Sequence, residues 1–308
     1  MKGLGFSDAE ISGLDRAPVV RVVPRKDDND VFVAGVVRIA APAASFVKAL
    51  REIETFRDRP PTLEIGRFGS PPRIADLAHL SFDARDLDML RTCKVGDCDI
   101  KVGAEVIGLA QKLDWRAKDA YFEAARLMKG MMLAQATRYL QEGASAMSVY
   151  NDNEVPERSA AETAVLLEGD PRLLQFTPEF LKAFLDFPNG TLPNLENLLY
   201  WSKEKTRKTV VSVAHVAIET SPGGTGYRVA MKHLYDSHFF LANLEFLTLL
   251  PDEGGASGFT LVHVLRARVD PPRSFRGMVL GKIRVGMRDA LAQDLEAAKR
   301  RIEQTAGR

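Results

Sequence analysis

The strongest constraint on the fold is a change in the spacing of hydrophobic residues, which switches from a strand-like pattern to a helical one and back. Residues 31–40 are rich in Val and Ile with partial alternation, and residues 62–68 form a second strand-like run. From about residue 73 to residue 205 the apolar residues recur at helical intervals. From residue 208 the chain returns to β-branched runs that are separated by Gly and Pro clusters. This order predicts an α+β protein in which a large helical insertion interrupts a sheet.

The C-terminal third predicts four strands followed by a long helix. The strands are expected over residues 210–219, 227–235, 239–250 and 259–269, and the helix over residues 274–304. Hairpin-linked strands form antiparallel sheets, and a terminal helix with one apolar stripe is expected to bury that stripe on the sheet. Three glycines in the first half of this helix lower its propensity, which predicts a close approach between helix and sheet. These glycines are Gly277, Gly281 and Gly286.

The length of 308 residues allows about two domains, or one domain with a large insertion. Residues 1–72 and 206–308 are expected to form one α+β domain with an antiparallel sheet of six or seven strands. Residues 73–205 are expected to form a helical insertion subdomain. Within it, residues 188–201 predict a loop and then a short helix.

Segments at the two ends of the chain resemble a known family. The segment VFVAGVVRIAAPAASFVKALREIETF, residues 31–56, is similar to the opening of helix-grip proteins, the START and polyketide-cyclase-like (SRPBCC) superfamily. The segments RARVDPPRSFRG and MRDALAQDLEAAKRRIE, residues 266–277 and 287–303, are similar to their last strand and long C-terminal helix. The resemblance implies a curved antiparallel sheet that grips the terminal helix. It also implies a cavity for an apolar molecule such as a lipid, a sterol or a polyketide.

The insertion carries both cysteines, Cys93 and Cys98. A six-residue loop with Gly96 can bring the two Cα atoms within disulfide distance, and two free thiols are the alternative. The segments LRTCKVGDCDIKVG and LYWSKEK, residues 90–103 and 199–205, look like those of uncharacterised bacterial proteins, many of them exported. That likeness implies a periplasmic or secreted protein whose signal peptide is absent from this sequence, and a cytoplasmic location is the alternative.

The charge balance and the motifs of the sequence limit the kinds of partner that the protein is expected to bind. Lys and Arg number 42 against 41 Asp and Glu, which gives a net charge of +1 and predicts no broad basic surface for nucleic acid. There is no run of about 18 apolar residues, so no transmembrane helix is expected. The sequence has no C-x-x-C or H-E-x-x-H pattern, and the spacing of its histidines matches no ligand template. We therefore expect neither a metal site nor a cofactor, and the oligomeric state stays open.

The polar residues that could serve a ligand lie mostly in the strand-rich C-terminal part. They are His215, Tyr235, His238, Glu245, His263, Arg266 and, at the return from the insertion, Trp201. If residues 251–258 form a hairpin loop, Leu249 pairs with Phe259, and Glu245 pairs with His263 at about 5 Å. Such a His–Glu pair is either an acid–base group or a polar contact at the rim of the sheet.

Three further features each have a functional and a structural interpretation. Residues 235–238 predict a turn or bulge, because an uninterrupted strand over residues 227–250 would be about 80 Å long. This segment either offers a hydroxyl and an imidazole to a ligand or only turns the chain. Arg266 shares a strand face with Arg268, and the pair either holds a carboxylate or phosphate head group or lies in solvent. Trp201 forms either a cavity wall or a seam between the insertion and the sheet.

Together these features favour a protein that binds or transfers a hydrophobic small molecule in a cavity between sheet and helices. The alternative is a cavity enzyme of the cyclase or dehydratase type with His, Tyr and Glu as general acids and bases. A third interpretation is an interaction module whose core is filled by side chains. A cavity of roughly 300 Å³ or more would separate the first two interpretations from the third.

Overall fold

The computed structural model shows an open eight-stranded sheet packed between helices on both of its faces. The structure describes residues 1–27, 29–58, 60–168, 178–206, 208–221, 226–252, 258–270 and 276–306. In these ranges the strands are β1 (Val19–Val22), β2 (Asp30–Ile39), β3 (Thr62–Arg67), β4 (Val149–Tyr150), β5 (Glu157–Arg158), β6 (Leu195–Lys205), β7 (Thr209–Thr220), β8 (Tyr227–Asp236), β9 (Phe240–Pro251) and β10 (Phe259–Val269). The α-helices are α1 (Asp8–Ser12), α2 (Ala43–Arg51), α3 (Ile53–Phe56), α4 (Ala84–Thr92), α5 (Ala104–Ala110), α6 (Ala120–Glu142), α7 (Ser159–Glu168), α8 (Pro178–Leu185) and α9 (Arg276–Ala306).

The sheet has the strand order β1-β2-β10-β9-β8-β7-β6-β3, and every neighbouring pair is antiparallel. Strand β2 pairs with β10, with Phe259 opposite Ile39, so the first long strand joins the sheet of the C-terminal strands. With the long terminal helix α9, this confirms the predicted α+β fold. Among the described strands, the short β4 and β5 pair with each other in a separate two-stranded sheet.

Strand β6 corrects two predictions. Residues 188–201 were expected to be a loop and a short helix, but residues 195–205 form a strand between β3 and β7. This strand makes the sheet eight-stranded instead of six- or seven-stranded. The side chains from Leu198 to Trp201 are buried on both faces of the sheet. A strand that is buried on both faces shows no alternation of apolar and polar residues, so its period cannot be recognised.

The two faces of the sheet are best defined on β7. Ala214, Val216 and Ile218 pack with α2, α3 and α9, and we name this side the C-helix face. Val211 and Val213 point the other way, toward the helices between β3 and β6, and we name this side the cover face. The helical cover consists of α4 to α8. The helices of residues 84–185 therefore cover the second face of the sheet.

The glycines of α9 do not mark a close approach to the sheet. A Cβ atom added at Gly277, Gly281 or Gly286 would meet nothing within 4 Å, so that prediction is wrong. The close approach lies further along the helix, at Gly35 of β2. A Cβ atom there would lie 2.5 Å from a methyl carbon of Leu295. The sheet, not the helix, supplies the glycine that lets the two elements pack.

Cys93 and Cys98 form a disulfide with their Cα atoms 4.5 Å apart. Gly96 has the positive φ of 87° that this tight loop requires. The loop is tied to the chain before β5, because the Gly96 N–H donates to the Asn151 carbonyl at 2.8 Å and the Cys98 N–H donates to the Asp152 carbonyl at 3.1 Å.

Removing this disulfide is expected to lower the free energy of unfolding by about 2 kcal/mol, the loop-closure value for about six residues. The variant is Cys93→Ala/Cys98→Ala, measured by urea unfolding. The wild-type protein in reducing agent is the control and should shift by a similar amount. An unchanged unfolding midpoint in both samples would contradict the prediction.

Candidate functional site

The candidate site residues divide between the two faces of the sheet. His215, Tyr235, Trp201 and Arg266 point to the cover face, His238 lies in a turn beside the helical cover, and Glu245 and His263 point to the C-helix face. The structure therefore does not bring the seven residues together into one site.

A cavity of about 410 Å³ lies between the cover face and the helical cover, near the β3 edge of the sheet. Its lining residues come from β3, β6 and β7, from the segment after β3, from the end of α6 and from the segment after α8. They are Arg67, Phe68, Gly69, Ser70, Asp76, Leu140, Phe187, Asn197, Leu198, Leu199 and His215. Its volume falls within the range of small-molecule sites.

The polar wall of this cavity is built around His215. The Tyr139 hydroxyl lies 2.7 Å from Nδ1, and the Asn197 side-chain oxygen lies 2.9 Å from Nε2. The amide oxygen can only accept, so Nε2 carries the proton and the Tyr139 hydroxyl donates to Nδ1. Burial, and then the charge of Lys232, hold the pKa of His215 well below its usual range. The imidazole is therefore neutral, and both of its nitrogens are engaged.

Aromatic rings surround this imidazole. The Phe187 ring lies 4.5 Å from it, centre to centre, and the Phe184 and Tyr139 rings lie at 5.4 Å. Tyr139 in turn stacks on Phe187 at 5.3 Å. Leu140 and the β6 leucines extend this apolar surface, and the cavity lining also includes the polar side chains of Arg67, Ser70, Asp76 and Asn197. Apolar walls with a small number of polar groups are typical of small-molecule pockets.

The rim of the cavity is organised by Asp76. Its carboxylate accepts hydrogen bonds from the N–H groups of Gly69 and Arg73, at 2.9 and 2.8 Å, and this fixes the segment after β3. Trp201 donates from Nε1 to the Asp76 carbonyl at 2.8 Å. A Cβ atom at Gly66 would lie 2.5 Å from the Trp201 ring, so only glycine fits beneath the indole. Trp201 therefore lies at the contact between the sheet and the insertion. It is not part of the cavity lining, although its hydrogen-bond partner Asp76 is.

Lys232 lies beside His215, opposite it in the β7–β8 register, and no sequence pattern distinguishes it from an exposed strand lysine. Its side chain is buried, and Nζ donates to the Phe184 carbonyl at 2.9 Å. Nζ also lies 4.5 Å from the centre of the Phe184 ring and 5.3 Å from that of Tyr139. Burial lowers the pKa of this amine from its ordinary 10.5 to about 7.

The sequence predicts a turn or a bulge around residues 235–238, and the structure contains both. The β7–β8 register shifts at Leu234, and β8 ends at Asp236 before a turn in which Phe239 has φ of 65°. The turn is anchored to the helical cover, where His238 Nε2 lies 3.4 Å from an Asp86 carboxylate oxygen. The Tyr235 side chain is buried in the core of the cover, and its hydroxyl has no hydrogen-bond partner within the described ranges.

Arg266 is buried completely beneath the helical cover. Its guanidinium pairs with Asp30 and donates to the Leu166 carbonyl of α7. Arg268 points the same way and pairs with Asp27 and Glu162. The strand face shared by the two arginines is therefore occupied by acidic side chains of the protein itself.

Glu245 and His263 meet on the C-helix face, although the predicted register was wrong by two residues. Leu261, not Phe259, is opposite Leu249, and Glu245 is opposite Leu265. A slip of two residues keeps every side chain on its face, so Glu245 and His263 are diagonal neighbours, with Oε2 and Nε2 3.0 Å apart. Strand β9 continues through Pro251, which the sequence assigned to the loop.

Arg57 completes this contact, with Nη2 3.2 Å from a Glu245 carboxylate oxygen. Burial alone would raise the pKa of the Glu245 carboxyl. The charge of Arg57 and the hydrogen bond from His263 outweigh burial and hold the pKa well below its usual range. Glu245 is therefore a permanently charged member of an ion-pair network, which makes it a poor proton acceptor.

A further ion cluster lies beside the disulfide loop. Nζ of Lys101 lies 2.9, 3.3 and 2.8 Å from carboxylate oxygens of Asp152, Glu157 and Asp270. The three carboxylates could hold a metal ion by their spacing, but the lysine ammonium already contacts all three. Within the described chain no helix is long and apolar enough to cross a bilayer.

The solved structures that are similar to this chain include a lipid transfer protein and a polyketide aromatase/cyclase-type protein. No family model and no curated protein matches the chain. A STAR-related lipid transfer protein from Xanthomonas axonopodis is 10% identical, with a TM-score of 0.39 and coverage of 93% of this chain and 94% of that one. The di-domain ARO/CYC StfQ of the steffimycin biosynthetic pathway is 12% identical, with a TM-score of 0.28 and coverage of 89% and 99%. Similarity at this level carries no argument about ligand or reaction.

Proposed function

We propose that this protein binds a small, largely apolar molecule in the cavity beneath the helical cover. The observation that carries the proposal is a 410 Å³ cavity that two phenylalanines and three leucines line together with polar side chains, among them the neutral imidazole of His215. A ligand that buries about 300 Å² of apolar surface gains about 7 kcal/mol before the costs of association. Useful affinity therefore needs few polar contacts, and the Asn197 side-chain amide would orient an uncharged hydrogen-bonding group.

The geometry at His215 favours binding over catalysis. Both ring nitrogens are already hydrogen-bonded, to Tyr139 and Asn197, so neither is available to take a proton from a ligand. The Asn197 amide N–H₂ group adds donors at the cavity wall. A ligand with a carbonyl or ether oxygen at one end matches this wall better than a reactive substrate does.

Placing a charge in the cavity wall should weaken binding at least tenfold. The variant is Leu140→Arg, and Leu140 is a half-buried residue of α6, so the helix should tolerate the arginine. The measurement is fluorescence titration with a neutral apolar probe, N-phenylnaphthylamine. A charged group in an apolar site lowers affinity because it must be desolvated when the ligand enters.

The matched control is Leu127→Arg, which changes a half-buried leucine of the same helix outside the cavity lining. It should bind the probe like the wild-type protein. Equal binding by all three proteins, or no binding by the wild-type protein, would refute the proposal. Mass spectrometry of organic extracts of the purified protein would identify a ligand that copurifies.

A further inference from the structure

The row of residues that crosses the floor of the cavity continues to Lys232. The Phe68 N–H donates to the Leu199 carbonyl at 2.9 Å, Leu199 of β6 is opposite His215 of β7, and His215 is opposite Lys232 of β8. Phe68, Leu199 and His215 all line the cavity. Because neighbouring strands lie about 4.8 Å apart, Lys232 stands one strand spacing beyond the cavity floor.

The cavity and the Lys232 amine also share neighbours in the helical cover. His215 and Phe187 line the cavity, and their rings lie 5.4 and 5.3 Å from the Tyr139 ring. Nζ of Lys232 lies 5.3 Å from the centre of the same ring. His215 is fixed by hydrogen bonds at both nitrogens, whereas the half-buried Phe187 ring is held by packing. Rotation of the Phe187 side chain is the movement that would join the cavity to the amine.

Lys232 has no carboxylate partner within the described residues. Its Nζ donates to the Phe184 carbonyl at 2.9 Å, and this bond leaves the lone pair of a neutral amine free. The two other buried lysines of the described ranges, Lys101 and Lys203, each lie 2.9 Å from a carboxylate oxygen. A buried amine without a counter-ion costs stability, and such groups concentrate at functional sites.

The charges around Lys232 keep much of the amine neutral. Burial lowers its pKa to about 7, and the charge of Asp186 only partly opposes this effect. The Asp186 carboxylate is half exposed and pairs with Lys182 at 2.7 Å. The neighbouring His215 and Tyr139 are uncharged, because burial lowers the pKa of the first and raises that of the second. At neutral pH about half of the Lys232 amine is therefore unprotonated, the form that acts as a nucleophile.

We propose that Lys232 captures an aldehyde or ketone ligand as an imine. This inference rests on the proposed function, because the carbonyl compound enters through the same cavity. The amine lone pair forms a bond to the carbonyl carbon, and the carbonyl π electrons move onto the oxygen. That oxygen takes up both N–H protons of the amine and leaves as water while the C=N bond forms, so the step needs no oxidant or further reactant. The apolar rings around Nζ exclude the water that would hydrolyse the imine.

The test traps the imine with sodium cyanoborohydride in the presence of limiting benzaldehyde at neutral pH. Peptide mass spectrometry then measures the benzyl group at each amine. Lys232 should be labelled at least tenfold faster than any exposed lysine, since an ordinary lysine is neutral in only about one molecule in three thousand at this pH. Lys203 is the matched buried control and should stay unlabelled, because Asp83 and Glu64 hold its ammonium. An unlabelled Lys232 would overturn the proposal.

The route through the cavity is tested on the same reaction. Saturating N-phenylnaphthylamine should slow labelling of Lys232 at least tenfold in the wild-type protein, a measurement that needs no variant. Leu140→Arg should slow it similarly, Leu127→Arg should not, and Phe187→Ala should speed it. Labelling of the N-terminal amine should stay constant throughout and serves as the internal control.

The outcomes separate this inference from the proposed function. A wild-type protein that binds N-phenylnaphthylamine but leaves Lys232 unlabelled would overturn the imine and keep the cavity as a binding site. Labelling of Lys232 that neither the probe nor Leu140→Arg slows would show that the aldehyde does not arrive through the cavity, and would also overturn the inference. A wild-type protein that does not bind the probe refutes the proposed function itself.

Discussion

Replacing Lys232 with methionine is expected to stabilise the protein by about 4 kcal/mol below pH 7, and this gain should vanish above pH 10.5. The amine is buried among aromatic rings, and its pKa falls from 10.5 in the unfolded chain to about 7 in the folded protein. At 1.36 kcal/mol per pH unit this difference corresponds to about 5 kcal/mol. Loss of the hydrogen bond to the Phe184 carbonyl offsets about 1 kcal/mol of it.

The direction with pH follows from proton binding. Between pH 7 and pH 10.5 the unfolded chain holds the Lys232 proton while the folded protein has released it, so wild-type stability rises with pH in this window. Below pH 7 both states are charged, and the folded state bears the whole cost of a buried ammonium. The Lys232→Met variant lacks this dependence. Urea unfolding at pH 6, 8 and 10 measures the difference, and a variant no more stable than wild type at pH 6 would disprove the account.

Lys101→Met is the contrasting control, since Lys101 is also buried. Burial lowers the pKa of this amine, but Asp152, Asp270 and Glu157 outweigh burial and raise it. Removing the amine leaves three neighbouring carboxylates without their cation. This variant should therefore be less stable than wild type at neutral pH. Lys232→Met is therefore expected to raise the free energy of unfolding at neutral pH and Lys101→Met to lower it. Burial alone cannot produce this difference, because both lysines are buried.

The sequence pattern predicts the fold correctly wherever a strand or helix has one face in solvent or packs against a single layer of the protein. The four C-terminal strands and α9 were placed within a few residues, because their Gly and Pro boundaries and their stripes are clear. Strand β6 was missed because both of its faces are buried. The β9–β10 register was missed because Pro251 pairs in the ladder, where proline usually marks a loop.

The sites were less accessible than the fold because they depend on contacts between distant parts of the chain. His215 could be selected as a polar residue in an apolar strand, but Tyr139 is 76 positions away in the insertion. Lys232 gives no signal, since a lysine in a strand is normally exposed. His233 and Asp236 are three residues apart, a spacing that would place them on opposite faces of an unbroken strand. The bulge at Leu234 lets them share a face, and their side chains are hydrogen-bonded.

Removing Arg266 is expected to lower the free energy of unfolding by about 3 to 5 kcal/mol, the usual loss when one partner of a buried ion pair is deleted. The guanidinium is fully buried, and it bonds both Asp30 and the Leu166 carbonyl. In the Arg266→Leu variant the buried Asp30 carboxylate loses its contact with the guanidinium of residue 266. It keeps its contact with Arg25, whose Nε lies 2.9 Å away. It also removes a hydrogen-bond donor that ties α7 to the sheet.

Arg268→Leu is the matched control, two residues further along the same face of β10. Its partners Asp27 and Glu162 are 54% and 23% exposed, so water can solvate them once the arginine is gone, and we expect a loss of about 1 kcal/mol or less. The double variant Asp30→Asn/Arg266→Leu should recover part of the loss, because the buried negative charge is then absent as well. Urea unfolding of the wild-type protein, the two single variants and the double variant measures these losses. Equal losses for Arg266→Leu and Arg268→Leu would show that Arg266 is not the buried anchor between the sheet and α7, and would reopen its role as a group that binds an external anion.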